Sequence, residues 1–244
     1  GKELTGATAQ RDRWKRAVDA TNGALGQAVG KMYVQKFFPA ESKDRLKAMV
    51  ANIITAFERR IDALTWMSPQ TKTGAKAKLT TLIVGIGYPD SWRDYSKLEI
   101  VRGRAFENAQ RAALADYEYQ REKLSRQPDR NEWWMGPQVV NALNLPVQNA
   151  LNFPAAILDP PFFDAGASAA KNYGAIGAVI GHEISHSFDD TGSQSDSTGR
   201  FRKWWTPEDL AHFKTASEKL AAQYDAYMPF PDVHVNGRLT LSEN

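Results

Sequence analysis

Read for its hydrophobic spacing, the chain begins with helices and turns to broken, mixed structure after its midpoint. Trp14, Val18, Leu25, Val29, Met32 and Tyr33 recur at helical intervals and predict a helix from Arg11 to Phe38, stopped by Pro39. Leu46, Met49, Val50, Ile53, Ile54, Phe57, Ile61 and Leu64 form the most regular core stripe and predict a second helix. Ser68-Pro69 supplies an N-cap and a first-turn proline for a third, which the pattern carries to Val84 before Gly85, Gly87 and Pro89 end it. After a loop over Asp90 to Ser96, a fourth helix carries Phe106, Ala109, Ala113, Tyr117 and Leu124 and ends before Pro128.

From Glu132 the pattern changes. Gln138 to Leu143 and Ala150 to Phe153 read as short strands, and the Pro- and Phe-rich stretch that follows is too interrupted for a helix. Tyr173, Ile176, Val179 and Ile180 then mark an amphipathic helix, and Thr191 to Gly199 is a polar loop. Thr206-Pro207-Glu208-Asp209 caps a last helix that continues to about Tyr224. The expected fold class is mainly α (α+β). A division near Ala105, with a helical part over residues 1–104 and a mixed part over 105–244, is compatible with this shift in pattern.

The amphipathic helix ends in His182-Glu183-Ile184-Ser185-His186, an H-E-x-x-H pattern. Two imidazoles one helical turn apart share a face and can close on one metal ion. Glu183 follows the first imidazole directly, so it lies beside the metal without binding it, where a carboxylate can accept a proton from an activated water. The motif thus names two ligands and one base, the alternative being a helix whose two His are ordinary surface or core residues near a Glu.

Charge and composition narrow the options further. The 31 basic and 28 acidic side chains leave a net charge of +3, and the positive residues are scattered among acids, so no nucleic-acid footprint is expected. No run of 18 apolar residues occurs, so no membrane span is expected. With no Cys in the chain, disulfides and thiolate ligands are excluded, and a metal site can draw only on His, Asp and Glu.

The residues around the motif resemble the neprilysin family of zinc endopeptidases. Asn172 to Gly181 leads into it, and Ser187-Phe188-Asp189-Asp190 with Gly192 leaves it, much as in that family. Phe153 to Phe163, Val140-Asn141-Ala142, Trp204-Trp205-Thr206 and Val235 to Asn244 look like further family segments in the same order. Nearer the amino end, Arg13 to Arg16, Leu64 to Met67 and Ile86 to Asp90 resemble its non-catalytic helical region. The resemblance implies a helical domain joined near Ala105 to an incomplete thermolysin-like zinc-peptidase domain with short strands.

It also implies roles. Glu243 matches the family's glutamate ligand, which with His182 and His186 would hold one zinc ion and leave a fourth position open. Ser242 stands where most members have Gly, a departure expected to be without effect. Asp189 would accept the second ring N–H of His186 and orient it. Asn141 and Ala142 match the pair that holds a peptide substrate's backbone on an edge strand. Leu143 and Asn144 replace the aromatic residues that usually follow that pair. Ile157, Phe162 and Val179 match an apolar pocket for the side chain just after the cleaved bond, implying cleavage on the amino side of bulky apolar residues. Ala178, in place of a frequent Met, would widen that pocket.

Three further residues of the family site, an Asp, a His and an Arg, follow the glutamate ligand and have no counterpart within these 244 residues. The chain is therefore read as part of a larger peptidase whose remaining carboxy-terminal part lies on the same parent chain or on a companion. By itself it is expected to hold zinc weakly and to hydrolyse peptides poorly. The alternative is a non-catalytic peptide-binding or interaction module that retains the peptidase fold. The family also implies an extracytoplasmic location, periplasmic or secreted, and the missing Cys tilts the source towards bacteria.

Overall fold

The computed structural model describes residues 2–243. After the short helix α1 (Lys2–Thr5) come α2 (Arg13–Phe37), α3 (Ala40–Ala63) and α4 (Pro69–Thr80), then β1 (Ile83–Gly87) and α5 (Ala105–Lys123). Two strands follow, β2 (Leu143–Leu145) and β3 (Ala150–Pro154), then α6 (Ala169–Gly174), α7 (Ile176–Ser185) and α8 (Pro207–Asp225). The fold is mainly helical, with a three-stranded sheet in the order β1-β3-β2.

α3 forms where the core stripe predicted it, with Leu46, Met49, Val50 and Ile61 buried. α4 starts as expected, for the Ser68 hydroxyl accepts from the Thr71 N–H. It stops at Thr80, short of the expected Val84. A brief apolar run is ambiguous between helix and buried strand. Here the β-branched Ile83-Val84 pair finds a long-range partner: β1 lies parallel to β3, with Ile83 opposite Ala150 and Ile86 opposite Phe153. Gly85 leaves room for its neighbours there, because a Cβ would sit 2.9 Å from the Asn152 amide of β3 and 2.7 Å from the Trp133 ring. β3 is buried along its length, and β2 pairs with it antiparallel at the sheet's edge.

The segment before β2 differs from the expected strand over Gln138 to Leu143. The Gln138 amide donates to the Gly26 carbonyl and to Asn22 in α2, and the backbone turns through Val139 N–H to Gly136 C=O and Asn141 N–H to Val139 C=O. The extended backbone begins only at Leu143.

α2 also departs from its predicted face. Trp14, Val18 and Met32 are exposed among the described residues, and Gly30 is the buried position. A Cβ at Gly30 would meet the Pro137 ring at 2.4 Å, so this helix docks through its narrowest point, while a break at Leu25 (φ −130°, ψ 32°) offsets the two halves of the stripe.

One core joins the parts. Phe38, Leu46, Met49 and Leu79 from the first helices pack in the same cluster as Ile176, Ile180 and Ile184 of α7. Both this cluster and the β1–β3 pairing cross position 104/105.

Candidate active site

The helix expected to run unbroken through Tyr173 into the motif is two helices. Ala175 leaves helical space (φ −101°, ψ −93°), and the Ile176 N–H is taken by the Phe162 carbonyl at 2.9 Å, which fixes the start of α7. From there Ile176, Ile180 and Ile184, one turn apart, fall on the buried face against α3 and β2. The remaining arc of the helix presents His182, Glu183 and, at its C-cap, His186 to a cavity of about 450 Å³.

The ligand atoms of His182, Glu183 and His186 all lie within 4.8 Å of one another. His186 Nδ1 is 2.8 Å from Asp189 Oδ2, the orienting contact expected of that carboxylate. With its Nδ1–H given to Asp189, the neutral His186 ring carries a lone pair at Nε2, and that atom faces His182 Nε2 at 3.0 Å. Glu243, in the short 3-10 turn Leu241–Glu243, brings Oε2 to 3.4 Å from His182 Nε2 and 3.8 Å from His186 Nε2.

These separations test whether zinc fits. Ligand bonds of ~2.0–2.1 Å in a tetrahedron place neighbouring ligand atoms ~3.3–3.4 Å apart. The three observed edges, 3.0, 3.4 and 3.8 Å, bracket that value. Two facing imidazole nitrogens and a carboxylate are electron-rich groups that a cation between them would reconcile. The set fits zinc.

Glu183 is buried, with 7 % of its surface exposed. Burial raises its pKa above the ordinary glutamate value; the His186 and His182 imidazoles pull the other way, and the Glu243 carboxylate adds to the rise. A carboxyl placed so is suited to proton exchange in a way an exposed one is not.

Asn141 and Ala142 line the same cavity at the entry to β2, with Leu143, Asn144 and Pro146 beside them. The three residues matched to the apolar substrate pocket are not on its wall. Ile157 is a core residue at 5 % exposure, Val179 packs against that core, and Phe162 is at the surface.

Three contributors were not assigned a role from the sequence. Asn144, in place of an aromatic residue, donates its amide to the Glu183 carbonyl at 2.6 Å and to the Ser187 hydroxyl at 2.9 Å, pinning the motif's last turn to β2. Ser242 has a partner after all: its hydroxyl donates to Asp190 at 2.7 Å, tying the turn that carries Glu243 to the loop after His186. Lys78 of α4 is 1 % exposed and reaches that loop. The signal for Lys78 was present in the sequence, since it continues the buried positions Thr71 and Ala75 at helical spacing, where a charge has no place without partners.

The loop itself, expected as a plain polar stretch, contains a 3-10 turn, Gly192–Gln194, and a bridge between Ser195 and Phe201. Gly192 is required there. A Cβ would fall 1.8 Å from the His186 carbonyl oxygen.

A helix that turns two imidazoles and a carboxyl towards a strand-edged cavity, with the Glu243 carboxylate brought beside them by a distant turn, has the arrangement of the H-E-x-x-H zinc class. Comparison with known proteins gives the family. Models of peptidase family M13 match residues 1–89 and 141–244. Human neprilysin is 37 % identical over 253 aligned residues, covering all of this chain and 34 % of its own length. The neutral endopeptidase of Lactobacillus helveticus is 38 % identical, with 94 % of this chain and 36 % of that protein covered. Among solved structures, an inhibitor complex of a Mycobacterium tuberculosis zinc metalloprotease superposes with a TM-score of 0.93 at 46 % identity, covering all of this chain and 37 % of that one. The chain belongs to the neprilysin family, peptidase family M13. It spans about a third of the length of the curated relatives it matches.

Proposed function

We propose that these residues are the zinc-binding portion of an endopeptidase that hydrolyses peptides on the amino side of bulky apolar residues. The observation that carries the reading is the convergence of His182 Nε2, His186 Nε2 and Glu243 Oε2 beside the buried carboxyl of Glu183.

His182, His186 and Glu243 would hold one zinc ion. Zinc, when bound, supplies a Lewis acid that acidifies water and polarises a peptide carbonyl. Glu183 accepts the proton of the attacking water and hands it to the leaving amine, a task for which its raised pKa suits it. Asp189 keeps the His186 proton on Nδ1 and the lone pair of Nε2 turned into the site. Asn141 and Ala142, just ahead of the edge strand β2 and on the cavity wall, are the pair that would take a peptide by strand addition. The apolar preference rests on the family match of Ile157, Phe162 and Val179, and the residues that complete the site would come from the rest of the parent chain or from a companion chain. Among the described residues no helix is long and apolar enough to cross a membrane. We infer an extracytoplasmic location from the family.

The test is metal analysis of the full-length protein together with peptide hydrolysis before and after chelation. One zinc per chain and chelator-sensitive cleavage are expected. Active protein without zinc would refute the ligand assignment, and zinc-loaded protein that binds peptides without cleaving them would refute the peptidase reading.

A further inference from the structure

Lys78 stands in the helical part of the chain, yet its ammonium ends among residues that follow the H-E-x-x-H motif. Nζ lies 2.7 Å from the Ser187 carbonyl, 2.7 Å from that of Gly192 and 2.8 Å from that of Ser195. An ammonium has three N–H donors, and all three are used. The Phe188 and Trp204 rings, each 5.8 Å away, close the sides. The Lys78 carbonyl is itself held by the Asn149 amide at 3.0 Å, so the anchor is fixed at both ends.

The three carbonyls bracket Asp189. Its Oδ1 accepts from the Thr191 and Gly192 N–H groups at 2.8 and 2.6 Å, which leaves Oδ2 for His186. Gly192 thus belongs to both sets of contacts: its carbonyl is bound by Lys78 and its N–H by Asp189. If the loop spreads, the Gly192 N–H withdraws and the carboxylate loses its aim. Burial lowers the Lys78 pKa to about 8, with Asp189 and Asp196 pulling it back up, so the charge is kept in the interior by its partners and not by water.

We propose that Lys78 is a positioning residue of the zinc site, clamping the loop from Ser187 to Ser195 so that Asp189 stays on His186 Nδ1. The inference rests on the zinc-site reading given above. It couples the first helices of the chain to the metal: the ion's affinity depends on a side chain that never touches it.

The experiment uses the full-length protein. Zinc affinity is measured by chelator competition, the cobalt-substituted protein's visible spectrum reports ligand geometry, and urea unfolding of the zinc-free form reports stability. Loss of an indirect metal contact costs about 10- to 100-fold in affinity, and Lys78→Met is expected within that range, with a changed cobalt spectrum. Ala112→Gly, at a buried position of α5 outside the core cluster that packs on α7, is the stability control and should leave affinity within about twofold while the zinc-free form loses stability. Combined with Asp189→Asn, Lys78→Met should cost less than the sum of the two single losses, because both act through one imidazole. Should Lys78→Met not fold, Lys78→Gln, which keeps two donors, takes its place, with a loss of at least about threefold expected. Parental affinity and spectrum in the folded variant, strict additivity with Asp189→Asn, or an equal affinity loss in Ala112→Gly would each overturn the proposal. Parent protein that binds no zinc would instead refute the zinc site itself.

Discussion

Asp189→Asn separates the role of a carboxylate in holding a loop from its role in preparing a ligand. In the folded chain Oδ1 accepts two backbone N–H groups and Oδ2 accepts from His186 Nδ1. Asparagine can keep its single carbonyl oxygen on the two N–H groups, so the loop retains its bonds. Its NH2 then faces His186 Nδ1, and two donors cannot share that contact. The neutral ring answers by presenting a lone pair at Nδ1, which moves its proton to Nε2, the atom that should face the metal. Disturbing such an indirect contact costs about 10- to 100-fold in metal affinity. At 1.4 kcal/mol per tenfold this is about 1.4–2.8 kcal/mol. Asp189→Ala should lose zinc to a similar degree but also strand the Thr191 and Gly192 N–H groups, each at about 1–3 kcal/mol where buried. Chelator competition measures the first effect and urea unfolding of the zinc-free protein the second. Asparagine is expected to weaken zinc binding with little change in unfolding, and alanine to impair both. Equal zinc affinity in Asp189→Asn and the parent would refute the orienting role, and loss of zinc only in proportion to loss of stability would refute the tautomer argument.

Four further outcomes are expected. Glu183→Gln should retain zinc and shape while kcat falls by about 10²-fold or more, since the base is gone but not the ligands; peptide turnover near the parental rate would contradict it. Ser242→Gly removes the hydroxyl held by Asp190 and should weaken zinc binding by about two- to tenfold, from the loss of one part-buried hydrogen bond worth about 0.5–1.5 kcal/mol, as read by chelator competition. Mass mapping of peptide products should find cuts before Phe or Leu, whereas cuts mainly before Asp or Lys would refute the apolar preference. Asp209 is buried, which alone would raise its pKa, but hydrogen bonds from the Ser68 side chain and backbone and from the Thr71 and Thr206 hydroxyls hold it below the ordinary value. Its contribution to stability is then full above the unfolded aspartate pKa of about 3.9 and is lost as pH falls through the lower folded value. Urea midpoints measured between about pH 5 and pH 2 should therefore fall more steeply for the parent than for Asp209→Asn.

By itself the sequence determined what depends on neighbours along the chain. α3 and α8, the caps at Ser68 and Thr206, and the two imidazoles four residues apart follow from local spacing, because a helix fixes which side chains share a face. Glu243 and the family were legible too, as matches to a known pattern and not as consequences of spacing. Tertiary structure decided whatever needed a distant partner. Ile83–Gly87 became a strand because β3 offered it an edge, and Gln138 to Asn141 turned because α2 took the Gln138 amide. The helix ahead of the motif broke at Ala175, where the Phe162 carbonyl claimed the next N–H. Lys78 could be marked in the sequence as a charge in a buried stripe, but nothing local says where its ammonium ends. A buried charge is tolerated only where enough acceptors converge on it, and those acceptors lie more than a hundred residues further along the chain.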